Sequence, residues 1–162
     1  MNARLATPRD AEAGSSVLRR SISELCHADH AGDPAIIAAW TANKTPDSWL
    51  AWLAQPGASL FVIERATEII GVGMVDGGGT ILLNYVAPEA RYQGVSTTLL
   101  KAMEDASARR GLATCRLEST KTAQRFYIAR GYEPLEGAIS AIMAKPLAET
   151  LADHPKPKQT DG

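Results

Sequence analysis

The sequence predicts one α/β domain of α+β type, in which a helical N-terminal third gives way to β-rich runs and then to alternating helices and strands. Three observations carry this. The 162 residues leave room for one domain of about 150 residues and little more. Hydrophobic residues make up 45% of the chain and charged residues 22%, so burial can offset chain entropy and form a soluble globule. Short apolar and β-branched runs bounded by Gly, Pro and Asp are interspersed with stretches whose apolar residues recur at three- and four-residue steps.

The elements follow in order. NARLAT at 2–7 is a short strand, and Pro8 and Asp10 start a helix from about Ala11 to Cys26, with Val17, Ile22 and Leu25 on its buried face. A loop covers His27 to Asp33. Asp33 before Pro34 caps the next helical stretch, Thr45 and Pro46 repeat that signal for DSWLAWLA, and Pro56 and Gly57 end it. SLFVIERA, EIIGVGMVDG and GTILLNYVAP then read as three antiparallel strands, with Asp76-Gly77-Gly78-Gly79 as the clearest hairpin turn. A long helix follows Pro88, with Gly94 at its entrance, Val95, Leu99, Met103 and Ala106 on one face and Gly111 as its stop. TCRLES is a strand, KTAQRFYIARGY a helix, and AISAIMAKPL a last strand, which gives the order β-α-α-β-β-β-α-β-α-β-β. Residues 1–147 form the domain. Residues 148–162 are expected to be a mobile tail, because HPKPKQTDG holds almost nothing apolar.

Composition excludes several functions. Seventeen basic and 18 acidic residues give a net charge of -1 without a basic stripe, so no nucleic-acid partner is expected. The two cysteines, Cys26 and Cys115, lack CxxC spacing and read as reduced and partly buried. No run approaches the ~18 apolar residues of a membrane span, and MNARLATPRD lacks a signal core, so the expected location is the cytoplasm, away from membranes.

The most informative segment is Asn84-Tyr85-Val86-Ala87-Pro88-Glu89-Ala90-Arg91-Tyr92-Gln93-Gly94-Val95-Ser96, where a strand passes through a glycine-bearing loop directly into a helix. Unpaired N–H groups and a partial positive charge at such a helix start suit an anion. Ser96, Thr97 and Arg91 add donors and charge. Taken alone, the glycine is better explained by an ordinary strand-to-helix connection, and neither GxxxxGK[ST] nor GxGxxG is present. The run VAPEARYQGVS nevertheless resembles the acyl-CoA-binding motif V-x-P-x-x-[RQ]-x-x-G-x-[GA] of the GNAT superfamily of N-acetyltransferases, with Ser96 at the last position. Downstream, Ala123-Gln124-Arg125-Phe126-Tyr127-Ile128-Ala129-Arg130-Gly131-Tyr132 looks like the family's A-x-x-F-Y-x-x-x-G-[FY] helix, with Thr120 where the family often has asparagine.

The resemblance implies a GNAT fold: a mixed, mostly antiparallel twisted sheet of six to seven strands, flanked by about four helices, with splayed central strands. It implies acetyl-CoA as cosubstrate and no metal. The pantetheine arm would pair with Asn84, Tyr85 and Val86, and the pyrophosphate would sit on the N–H groups of Gln93, Gly94, Val95, Ser96 and Thr97, with Arg91, Tyr92 and Thr120 as further cofactor contacts. A backbone N–H near Asn84 would polarise the thioester, and an amine would attack without an acyl-enzyme. Tyr127 would protonate the departing thiolate and touch the cofactor; outside this motif, Phe126 and Tyr127 read as core aromatics.

For the base, Glu118 is the first candidate, with Glu24, His27, Asp29, His30 or a water chain as alternatives. Cys26, His27, Asp29, His30 and Asp33 are metal-ligand types, yet no second Cys/His cluster completes a site. Trp40, Trp49 and Trp52 read first as packing. The implied activity is acetyl transfer to a primary amine of a small molecule or peptide. The alternatives are a non-catalytic acyl-CoA sensor or interaction module and a domain that binds another phosphate. Exposed sheet edges leave room for a homodimer.

Overall fold

The elements follow this punctuation closely. β1 (Ala3–Leu5) leads through a turn at Pro8–Asp10 into α1 (Ala11–Leu25), α2 (His27–His30), α3 (Pro34–Thr41) and α4 (Pro46–Ala54). Then come β2 (Ser59–Arg65), β3 (Glu68–Val75), β4 (Thr80–Val86), α5 (Val95–Arg109), β5 (Thr114–Glu118), α6 (Gln124–Ile128), β6 (Glu133–Pro134) and β7 (Ile142–Pro146). The structure, a computed structural model, describes residues 1–135 and 141–147. The tail expected at 148–162 and residues 138–140 of the expected last strand lie outside the described residues.

Helices depart from expectation in three places. The second helical stretch divides into α3 and α4, each with its own cap: Asp33 accepts from the Ala35 amide at 2.9 Å and Thr45 Oγ1 from the Ser48 amide at 3.1 Å. The expected loop at 27–33 contains the single turn α2, braced by a fully buried His30. The His30 Nδ1 accepts from the Gly32 amide at 3.0 Å, which leaves Nε2–H to donate to the Ile22 carbonyl at 2.8 Å. Finally, α6 is shorter than the 121–132 expected, because side chains hold residues 120–123 in a turn. Among the described residues, six α-helices therefore flank the sheet where about four are expected.

All seven strands share one sheet in the order β1-β2-β3-β4-β5-β7-β6. Neighbours are antiparallel except β4 and β5, which run parallel with α5 as the crossover. Their pairing covers only Thr80↔Arg116 and Ile81↔Leu117. Across the other edge of β4, Met74 faces Leu83 while Val75 faces Ile81, so Leu82 is an extra, bulged residue. A bulge bends its strand. Here it falls immediately after the last residue paired with β5, and β4 leaves β5 at that point.

Core packing fixes the height of α5 above this gap. β3 is buried from Ile69 to Val75, with α1 and α5 both packed on it. A Cβ on Gly71 would lie 2.5 Å from Val95 Cγ1, and one on Gly73 would lie 3.1 Å from Met103 Cε, so these two glycines let α5 lie close to the sheet. Both Cys26 and Cys115 are free and buried. Among the described residues, no helix is long and apolar enough to cross a membrane.

Because valine is stiff and Val95 is the first residue of α5, Gly71→Ala should overpack this contact and cost about 1–3 kcal/mol. A lowered urea midpoint at unchanged m-value is the expected result. A wild-type midpoint would contradict this seating of α5.

Candidate active site

Beyond the Leu82 bulge, the edge of β4 that faces β5 has no strand partner, and a cleft of about 380 Å³ opens there. Asn84, Tyr85 and Val86 form one wall and the start of α5 the floor. Thr120, Thr122, Phe126, Tyr127 and Arg130 form the far wall, while Ser21, Leu25 and Cys26 close it from α1. A smaller cleft of about 50 Å³ lies at the narrow end of the splay. It shares Asn84, Tyr85, Thr120 and Tyr127 with the larger one and adds Glu118.

The floor presents donors without acceptors. Gly94 caps α5 at φ 81°, with no side chain capping the helix, and its carbonyl accepts from the Thr98 amide at 3.0 Å. The amides of Val95, Ser96 and Thr97 precede this first intrahelical donor and have no acceptor within the helix. A Cβ on Gly94 would meet only Met1 Cε, at 3.9 Å, so the backbone sign and not space requires glycine. Tyr92 is also left-handed, at φ 63°, which costs a non-glycine residue ~1–2 kcal/mol. Its ring is 88% exposed beneath the Arg91 guanidinium, 4.6 Å from the centroid, and both residues line the cleft. Gln93 does not: its side chain is held by Arg65 and by the Glu89 carbonyl.

Tyr127 sits where the two clefts meet. It is buried, packed edge-on against Phe126 and Tyr132, and burial pushes its phenol up to about 12, with the Asn84 amide a smaller opposing influence. The Asn84 Oδ1 and Nδ2 are buried and, among the described residues, reach no full hydrogen-bond geometry. Leaving such a group unsatisfied costs ~1–3 kcal/mol, a cost that a ligand with matching polar groups would remove. Burial also raises the Cys26 thiol, to about 11, so this cysteine is a poor nucleophile at the cleft wall.

The other candidates are dispersed. Glu118, exposed at the end of β5, shares the smaller cleft with Tyr127. Glu24 and His27 are exposed and line neither cleft. His30 is the brace described above, and Asp33 is a helix cap. Trp49 is core, its indole N–H donating to the Thr7 carbonyl at 3.1 Å, Trp52 packs at the core's edge and Trp40 packs edge-on to His30. Among the described residues, no group of three or more His, Cys, Asp or Glu could hold a metal ion.

Asp29 has a different part from the one the sequence suggests. Its Oδ1 accepts from the Lys121 amide at 2.7 Å, and its Oδ2 from the Thr122 hydroxyl at 2.6 Å and the Thr122 amide at 3.2 Å. Thr120 Oγ1 accepts from the Ala123 amide at 3.2 Å and completes the turn. This latch ties α2 to the loop that leads into α6, which carries Tyr127. Arg130 and Thr122 are polar cleft residues that sequence reasoning missed, as it missed Ser21, Leu25 and Cys26 of the α1 wall: Arg130 and Thr122 occupy positions without a required residue type in the motif region.

A model of the acetyltransferase (GNAT) domain matches residues 26–140, well over half of the sequence. The chain belongs to the GNAT acetyltransferase family. Its fold is similar to that of a GCN5-related N-acetyltransferase from Rhodopseudomonas palustris (24% identity, TM-score 0.77, covering 90% of this chain and 94% of that one). It is also similar to the PaiA N-acetyltransferase from Thermoplasma acidophilum, solved in complex with coenzyme A (19%, TM-score 0.78, 90% and 98%). A third similar structure is the ribosomal-protein-S18-alanine N-acetyltransferase from Escherichia coli (17%, TM-score 0.65, 96% and 98%). At these identities the likeness concerns the fold. Comparison with curated protein sequences yields no match.

Burial alone would push the Asp29 carboxyl up, but the Thr122 hydroxyl and the two amides outweigh it, so it titrates below its ordinary 3.8. Such a group stabilises the folded chain above its unfolded pKa, and this support is lost as pH falls through the lower folded value. Asp29→Ala should therefore speed amide exchange at Lys121 and Thr122 at neutral pH, corrected for intrinsic rates, whereas wild type should keep its protection down to below pH 3.8. Unchanged exchange in the variant would show that the latch does not hold this loop.

Proposed function

We propose that this GNAT protein transfers an acetyl group from acetyl-CoA directly to a primary amine of a small molecule or peptide. The observation that carries the reading is that buried Tyr127 and the Asn84 carboxamide line both clefts in the gap beyond the two β4–β5 residue pairs. The residues present fit acetyl-CoA: an open β4 edge for a pantetheine arm, uncapped α5 amides for a diphosphate, and unsatisfied buried polar atoms between them. When bound, this cosubstrate supplies an activated acetyl group and a thiolate leaving group.

The chain's own residues then have distinct tasks. Main-chain groups of Asn84–Val86 hold the arm in register, and an N–H near Asn84 favours the charge that develops on the carbonyl oxygen. As the nitrogen–carbon bond forms and the carbon–sulfur bond breaks, Tyr127 passes its proton to sulfur. A phenol near 12 is a poor donor to a thiolate in water. Burial disfavours a thiolate as it disfavours a phenolate, so it does not by itself turn the transfer against Tyr127. Glu118, or water through the smaller cleft, takes the amine proton. Which amine is acetylated is a matter for an acceptor panel, since this architecture serves many functions.

The test is coenzyme A release on a panel of amines. Tyr127→Phe should lower kcat by ~10²-fold or more while leaving coenzyme A affinity nearly unchanged. Because the donor stays protonated until pH approaches 12, wild type should show no alkaline loss of activity from this group below that point. Coenzyme A binding without release on any amine would instead assign the chain to an acyl-CoA sensor.

A further inference from the structure

Arg130 follows α6 and lines the large cleft, and its guanidinium is held there by three contacts. Its Nε–H donates to Thr97 Oγ1 at 3.0 Å, an Nη1–H donates to the Phe126 carbonyl at 2.9 Å, and the group lies 3.8 Å from the centroid of the Phe126 ring. Of the five N–H groups of an arginine, this leaves three without those partners. None of the ion pairs among the described residues includes Arg130, and no carboxylate lines the large cleft, where Arg91 is the other charged residue. Thr97 is the third residue of α5. The guanidinium is therefore fixed beside the same uncapped amides that the proposed function assigns to a diphosphate.

An arginine stacked on a ring and bonded through Nε and Nη1 has lost much of its side-chain entropy before any ligand arrives, and its remaining N–H groups, two on Nη2 and one on Nη1, are donors suited to phosphate oxygens. We infer that Arg130 is a phosphate-binding residue that grips the nucleotide half of coenzyme A, with Phe126 and Thr97 holding it in position. The inference rests on the coenzyme A reading above. Two phosphates of that ligand have the required chemistry, the diphosphate at α5 and the 3′-phosphate of the ribose, and the test separates them.

Calorimetry with coenzyme A and with 3′-dephospho-coenzyme A, on wild type and Arg130→Gln, gives the decision. Arg130→Gln should weaken coenzyme A by ~10- to 100-fold, as expected for loss of charge-assisted hydrogen bonds. If the loss vanishes with the dephospho ligand, the 3′-phosphate is the partner; if it persists, the diphosphate is. In either case the fall in affinity with added salt should be shallower for the variant than for wild type, a change that mere loosening of the wall would not produce. Arg130→Met removes the same charge and covers the case in which the glutamine variant misfolds: it too should weaken coenzyme A and flatten the salt dependence. Wild-type affinity in Arg130→Gln, or weakened binding with an unchanged salt slope in both variants, overturns the inference alone. If wild type itself ignores coenzyme A, the proposed function falls and takes this inference with it.

Discussion

One bulged residue organises the site. Leu82 interrupts the register between β3 and β4 directly after Ile81, the last residue that β4 pairs with β5. A parallel pair would ordinarily continue to satisfy its main-chain groups. Here β4 turns away after two residue pairs and leaves an edge exposed to a cleft inside the molecule. The parallel arrangement also requires a crossover, and that crossover is α5, whose uncapped start comes to lie at the mouth of the same gap. A main-chain edge and a run of uncapped helix amides are thus supplied by one topological decision.

The surrounding packing keeps this gap from closing. α5 cannot rise or slide freely, because Gly71 and Gly73 of β3 receive Val95 and Met103 at close range. α6 is too short to hold its own position: five residues, no side-chain cap, and a loop before it that Asp29 ties down from α2. The buried Asn84 carboxamide and the left-handed Tyr92 are costs kept in the free protein where a ligand is proposed to bind. Local economy is given up at the site, while the core obeys ordinary packing.

Much of this architecture is legible in the sequence, and the illegible parts share a cause. Asp33-Pro34 and Thr45-Pro46 announce helix starts, and both side chains cap as their types predict. The spacing of Val95, Leu99 and Met103 marks the buried face of α5, and the motif around Gly94 marks the anion site. The bulge is silent, because Ile-Leu-Leu-Asn-Tyr reads as an unbroken strand and the extra residue is defined only by its partner β3. α2 is equally silent: four residues have no period, and the turn is made by a buried histidine bonding back to α1. Asp29 and Arg130 depend on partners 92 and 33 positions away, so residue type suggests a base or a surface charge where the fold has placed a latch and a clamped cation.

The account's central claim is that the β4–β5 gap seats a thioester beside Tyr127. The most direct measurement is a crystal structure of the chain with coenzyme A, read for the position of the sulfur atom. The account predicts the pantetheine arm along Asn84–Val86 and the sulfur within about 3.5–4 Å of the Tyr127 hydroxyl. Coenzyme A bound elsewhere, or its sulfur turned out of the gap and beyond reach of that hydroxyl, would contradict it.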